Sequence, residues 1–529
     1  MRLVRYTLVC LSGLLLAAAP LSAQQAQQPT TPPAAPAPQE PTGPVRNLSI
    51  DEAVELALKN NLGLQIERLN PQIEQEQIAS ARAVYAPVLN SSFSYGGSKN
   101  IPGSFTEGSD PYTNANMSTN LSFTQQSLPW TNANFTAQWQ GSRNTTGVRG
   151  PSFNPRLGSS FSIRASQPLI RDFLVNPVKN QIQQAVISRQ IADIQLRQRV
   201  VGTENNVRNA YWSLVGAIQR LEVARQNLQL SQEQLKNNRV RVEVGTMAPI
   251  DIIAAEAEVA GNQEAVIVAE AGIKTAEDNL RMLIFDPNQP DFWTTTIRPT
   301  DEPIMQPLQV DVEAAIKTAL ESRTDIVSQR RNLQISDLSL KLSKNQTLPD
   351  VSLSANVTGT GSGGTQFSYI KNNPDLGIDE EVTRSFTAAL GDVFGFVYPN
   401  WSVGVQFSYP LGKASAEANY ARATIQRRQQ EASLKQLELS ITQQVRQAAR
   451  NVQSNFQRVQ STRIARELAE QRLGAQQKRF EVGLSTLFEL TQAQRDVVSQ
   501  RNAELNAMIQ YNQSLVNFQL VQIAPLGGF

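Results

Sequence analysis

The sequence predicts an α+β chain built from two tandem repeats, each with long packed helices and a strand section suited to lipid. Three observations predict it. The chain repeats itself internally, its long polar segments carry a seven-residue apolar beat, and the stretches between them alternate apolar with polar residues.

The repeat emerges when the chain is slid along itself. Residues 50–89 fall on 312–351 without a gap: Ile50 on Val312, Asp51 on Glu313, Ala57-Leu58 on Ala319-Leu320, Pro87 on Pro349. Residues 203–260 fall on 441–498. Here Val207-Arg208 meets Val445-Arg446, and Arg241-Val242-Glu243-Val244-Gly245 meets Arg479-Phe480-Glu481-Val482-Gly483. We expect one repeat over 48–304 and the other over 305–529.

The apolar beat predicts helices. Val207, Leu214, Leu221, Leu228, Leu235 and Val242 recur every seven residues, as do Val445, Val452, Val459, Leu473 and Phe480, with Arg466 breaking the second series once. Such a seam demands partner helices. A helix from Val178 to Glu243 would be ~100 Å long at ~1.5 Å per residue. Helices over Leu62–Ala86 and Pro249–Phe285 together nearly match that length, so two shorter helices should stack end to end beside each long one.

Period-two alternation marks strands at Val88–Tyr95, Leu157–Arg164, Val351–Val357 and Trp401–Tyr409. That pattern suits a barrel with one face to lipid and one to water. Residues 115–142 hold two more alternating segments around Leu128-Pro129-Trp130, which fit either extra barrel strands or an outlying hairpin. Residues 358–400 are Gly-rich and polar and read as a long exposed loop. Pro87 and Pro349 should end helices, and Pro168 and Pro410 should close strands, placing four prolines at helix–strand junctions.

Composition narrows the function. The chain has 529 residues and a formal charge of +2, which gives no electrostatic case for binding nucleic acid. It has no histidine, and its one cysteine is Cys10. Most metal sites and nucleophile–base pairs need one or the other, so no cofactor and no metal site are expected. Asp51, Glu52 and Glu302 could suggest a catalytic carboxylate pair, but acids at a helix start ordinarily complement its dipole. Arg2 and Arg5, the apolar run Leu8–Ala19 and the small residues up to Ala23 read as a signal peptide over 1–23. Seven prolines then mark an extended spacer over 24–47. The mature chain has no apolar run long enough for a membrane helix, so any membrane span must be a β-barrel. A surface coiled-coil protein would explain the heptads but not the strands with their matched prolines.

In these features the chain resembles the TolC-like outer-membrane efflux proteins. The resemblance runs from Leu48 onward. It rests on the tandem repeat, the helix–strands–helix order, the steps Gln167-Pro168-Leu169 and Tyr409-Pro410-Leu411, and the repeated Val-Gly turns. It implies an α+β membrane protein. A trimeric β-barrel in the outer membrane would continue as a long α-helical periplasmic barrel, with two tandem structural repeats per chain. It further implies a homotrimer in contact with outer-membrane lipid, docked to a periplasmic adaptor and through it to an inner-membrane transporter. The duct would be the passive exit of a tripartite efflux pump or a type I secretion system.

The same resemblance assigns sites. Val244, Gly245, Thr246, Val482, Gly483 and Leu484 would be the periplasmic tips that dock the adaptor. Asp251, Phe480, Phe488 and Glu489 would line the periplasmic entrance. The residues themselves also support capping roles. Gly245 and Gly483 suit helix C-caps, Thr486 to Glu489 is a capping box, and Asp251 lies in a first turn opened by Pro249. The family's second entrance acid, gate tyrosine and gate arginine fall on Gln492, Phe480 and Ser485. Closure is therefore expected to rely more on apolar packing of Phe480 and Phe488 than on ion pairs. The final Phe529 resembles the aromatic terminus of barrel proteins.

Overall fold

The computed structural model describes residues 43–103, 107, 109–148, 150–372, 374–411 and 415–525. The signal peptide, most of the spacer, Cys10 and Phe529 lie outside the described residues.

The helices of the two halves repeat each other in order. The first has α1 (Ile50–Asn60), α2 (Leu62–Arg82), α3 (Pro177–Glu243) and α4 (Ile250–Ile284). The second has α5 (Val312–Ser322), α6 (Thr324–Asn345), α8 (Ser415–Glu481) and α9 (Leu487–Val521), with α7 (Phe386–Phe394) inserted. Both long helices, α3 and α8, have 67 residues, and both returning helices, α4 and α9, have 35. At ~1.5 Å per residue the long helices span ~100 Å.

The end-to-end stacking is present and has a chemical basis. At the α4–α2 joint the side chains of Asn60 and Asn61 donate to the carbonyls of Ile284 (3.0 Å) and Leu283 (3.2 Å). These carbonyls close the last turn of α4 and have no intrahelical partner. In the second repeat Arg323, the counterpart of Asn61, donates to the Val521 carbonyl (3.3 Å) and to Gln444 Oε1 (2.6 Å). Arg323 is fully buried and paired with Asp325 at 3.0 Å. Burial pulls its guanidinium below the ordinary value, and the Asp325 carboxylate opposes that shift.

Ordered structure starts slightly earlier than expected. β1 (Val45–Leu48) pairs in parallel with β6 (Thr296–Pro299), so the spacer does not run to residue 47. Beside this ribbon lies one apolar core, with Val207, Tyr211 and Leu214 of α3 against Ala53 and Ala57 of α1 and Leu280 and Ile284 of α4. Its counterpart packs Val445, Val452 and Val459 of α8 with Ala315, Ala319, Tyr511 and Phe518. The heptad seam is thus filled near mid-height. Arg466 breaks it because it pairs with Glu504 (2.6 Å) and Glu470 (2.9 Å), and Glu470 also holds Arg501 (2.9 Å).

The strands are longer than the alternation alone marks, and they form one antiparallel sheet. β2 (Val88–Asn100), β3 (Tyr112–Gln125), β4 (Asn134–Thr146), β5 (Phe153–Pro168) and β7 (Asp350–Tyr369) pair in that order. β9 (Pro399–Ser408) lines β7 on its other side. The two segments within 115–142 are therefore β3 and β4, paired within the sheet. Pro87 and Pro349 directly precede β2 and β7, Pro168 is the last residue of β5, and Pro410 follows β9. Arg171 pairs with Asp350 and ties the two repeats together at this junction.

The expectation of a long exposed loop over 358–400 is corrected. β7 continues to Tyr369, and β8 (Ile378–Arg384) folds back on its outer half. The chain then leaves the sheet, and α7 packs against β5 and β7 before β9 begins. Glycines permit this approach. A Cβ at Gly359 would lie 2.4 Å from the Val393 carbonyl oxygen, and one at Gly361 would lie 2.0 Å from that of Ala389. Composition suggested a loop because glycines that admit a helix look like glycines of a flexible segment.

Candidate functional site at the helical tips

Both long helices end in the same motif. Gly245 has φ +78° and Gly483 has φ +75°, the left-handed region that glycine enters without a Cβ penalty. Gly245 N–H donates to Val242 O (3.0 Å) and Thr246 N–H to Arg241 O (2.9 Å). In the second repeat Gly483 N–H donates to Phe480 O (3.2 Å) and Leu484 N–H to Arg479 O (2.8 Å). These are two Schellman caps, which satisfy the last carbonyls of each helix. A Cβ at either glycine would meet nothing within 4 Å, so the requirement is conformational and not steric. Around the caps, Val244, Val482 and Leu484 are each about 70% exposed, an apolar crown on otherwise polar helices.

Glu489 lies one turn beyond the second tip. Thr486 Oγ1 accepts from Glu489 N–H (3.3 Å), and Thr486 N–H donates back to the carboxylate (3.3 Å), so the capping box is present. Ser485 Oγ (2.7 Å) and Gln476 Nε2 (3.1 Å) donate to the same carboxylate oxygen. These donors, Ser485 foremost and then the Thr486 amide, hold the carboxyl below the ordinary carboxylate range. Its charge should thus persist as pH falls through that range. We expect any cation preference of the open pore due to Glu489 to survive acidification that would neutralise an ordinary glutamate. In Ser485→Ala it should fade at higher pH, as read by reversal potentials in asymmetric salt. An unchanged profile in that variant would rule out this role for Ser485.

The other residues expected at the entrance occupy different environments. Asp251 and Phe488 both line a cleft of about 190 Å³ between the α3–α4 and α8–α9 hairpins. Phe488 is 75% exposed, whereas Phe480 is 8% exposed. Phe480 lies beneath Arg241 of the other hairpin, whose guanidinium carbon is 4.8 Å from the ring centroid. An ion pair also joins the two hairpins near the tips. Arg495 of α9 forms a two-oxygen ion pair with Glu258 of α4, its Nε 3.1 and 3.3 Å from the carboxylate oxygens. Gln492 donates to Asp496 (2.9 Å). Sequence reasoning missed the Arg495–Glu258 pair.

The strand section is equally specific. In the half of the sheet next to the helices, one face is largely apolar and the other polar. Across the sheet, Leu89, Phe123, Ala137, Ile163, Val357 and Trp401 stand side by side in register. On the opposite face the next row is Asn90, Ser122, Gln138, Ser162, Thr358 and Asn400. Among the described residues no helix is long and apolar enough to cross a membrane. The sheet is therefore the part suited to lipid, and the chain is of the β-sheet membrane class with a long helical extension.

The comparisons agree. The family described as outer membrane efflux protein matches residues 124–284 and 315–521. A membrane protein from Pseudomonas aeruginosa is 16% identical with a TM-score of 0.63, over 93% of this chain and 99% of its own. The CmeC outer membrane channel of Campylobacter jejuni is 13% identical with a TM-score of 0.62, over 89% and 85%. The outer membrane protein VceC of Vibrio cholerae is 15% identical with a TM-score of 0.61, over 90% and 96%. No curated protein matches the chain. The chain belongs to the outer membrane efflux protein family, and its place is the outer membrane, with its helical part in the periplasm.

Proposed function

We propose that three copies of the chain form the passive exit duct of a tripartite efflux pump or type I secretion system. The three sheets would close one barrel in the outer membrane, and the helices would enclose a tunnel across the periplasm. The apolar tips around Gly245 and Gly483 would dock a periplasmic adaptor coupled to an inner-membrane transporter. Asp251, Glu489 and the inter-hairpin contacts would set the resting entrance.

One observation carries this reading. The sheet has a lipid face and a water face, yet β2 and β9 each keep an unpaired edge among the described residues. Open edges are untenable in hydrocarbon, where each unpaired N–H or C=O costs several kcal/mol. β2 and β9 run in opposite directions, so the β9 edge of one copy can pair antiparallel with the β2 edge of the next. Closure by identical copies follows the same alternation all the way round. The purified protein in detergent should be an elongated trimer by light scattering with mixed helix and strand signals. A compact monomer would refute the assembly.

A further inference from the structure

We propose that the β3–β4 hairpin is barrel wall, so that each protomer supplies six strands and the membrane exit is as wide as the helical tunnel. The inference rests on the trimeric duct above and adds to it. A trimer would then hold eighteen strands.

Three observations support it. β3 and β4 have 14 and 13 residues, and about 9–11 suffice to cross a bilayer. Their apolar and polar faces continue those of β2 and β5 row by row, which an outlying hairpin would not need. Their connecting turn is also fixed at the helix–strand junction. Gln125 Nε2 donates to Tyr85 O (2.7 Å), and Gln167 Nε2 donates to Thr131 O (2.8 Å). Trp130 on that turn is 86% exposed, as suits an anchor at the membrane–water boundary.

The geometry of the wall gives this a consequence. Each protomer offers four columns of helix: α3, α8, α2 stacked on α4, and α6 stacked on α9. Helices 8–10 Å apart give an arc of roughly 32–40 Å per protomer. Strands ~4.8 Å apart and tilted ~40° give ~38 Å for six but only ~25 Å for four. Six strands therefore match the helical wall and four would constrict it. With the hairpin in the wall, the barrel sets no size limit of its own, and the narrowest point of the duct lies at the tips.

The test uses neighbouring cysteines on opposite faces of β4. Ala137→Cys and Gln138→Cys would be placed in trimers in lipid, with Ile163→Cys and Ser162→Cys on β5 as the reference pair. The parent protein, with Cys10 as its one cysteine, sets the background. A charged, membrane-impermeant maleimide should label Gln138→Cys at least about tenfold faster than Ala137→Cys, and Ser162→Cys likewise faster than Ile163→Cys. Alternation on β5 with equal labelling on β4 would overturn the inference and leave the duct standing. No alternation on either strand would overturn the barrel itself. As a second readout, particle images should show a barrel ~36 Å across between backbones, and one of ~24 Å would also overturn the inference.

Discussion

Glu258→Gln should open the resting duct. The Arg495–Glu258 pair joins α9 to α4 near the tips, and Glu258 is mostly buried whereas Arg495 is more than half exposed. An exposed ion pair contributes about 0.5 kcal/mol after solvent screening. Three copies acting on one closed state would shift the open-to-closed ratio by about tenfold. The measurement is the open probability of single trimers in planar bilayers. Arg495→Glu combined with Glu258→Arg should restore closure, because it reverses the pair without removing it. Phe480→Ala should also raise opening, since it removes the ring under Arg241 that joins the same two hairpins. If Glu258→Gln leaves the trace unchanged while Phe480→Ala opens the pore, closure rests on packing alone.

The second large effect is expected at the tips. Gly245→Leu together with Gly483→Leu should abolish export while trimers persist. The left-handed conformation costs a non-glycine residue ~1–2 kcal/mol, which a large assembly can absorb. A bulky side chain on the docking face should instead remove an interface contact worth ~2 kcal/mol, about thirtyfold in adaptor affinity. Gly245→Asn with Gly483→Asn is the control, because asparagine tolerates this conformation and is small. Export by intact cells and trimer content of the outer membrane are the readouts. Loss of trimers in the leucine variant would make the glycines caps alone. Intact trimers with unchanged export would refute docking at these turns.

The duplication, the helix lengths and the strand faces were legible because each is written in local periodicity. Val207 to Val242 announce a helix by their seven-residue spacing, and Val351 to Val357 announce a strand by alternation, whatever the rest of the chain does. The capping box at Thr486 and the glycine at each tip are equally local. Arg466 shows where that legibility stops. It interrupts the heptad on paper, and its partner Glu504 lies on the returning helix.

The sequence by itself determined the two repeats, the ~100 Å helices, the glycine C-caps at Gly245 and Gly483, and a strand section with one apolar face. Tertiary structure alone decided four things. It placed β3 and β4 between β2 and β5. It turned part of a seeming loop into α7, packed against the sheet. It buried Phe480 beneath Arg241, and it paired Arg495 with Glu258 across 237 residues of chain. The reason is physical. Periodicity fixes which side of an element is apolar, since neighbours three, four or two residues apart share a face. Which element lies alongside, and which charge meets which, depends on how the whole chain closes on itself.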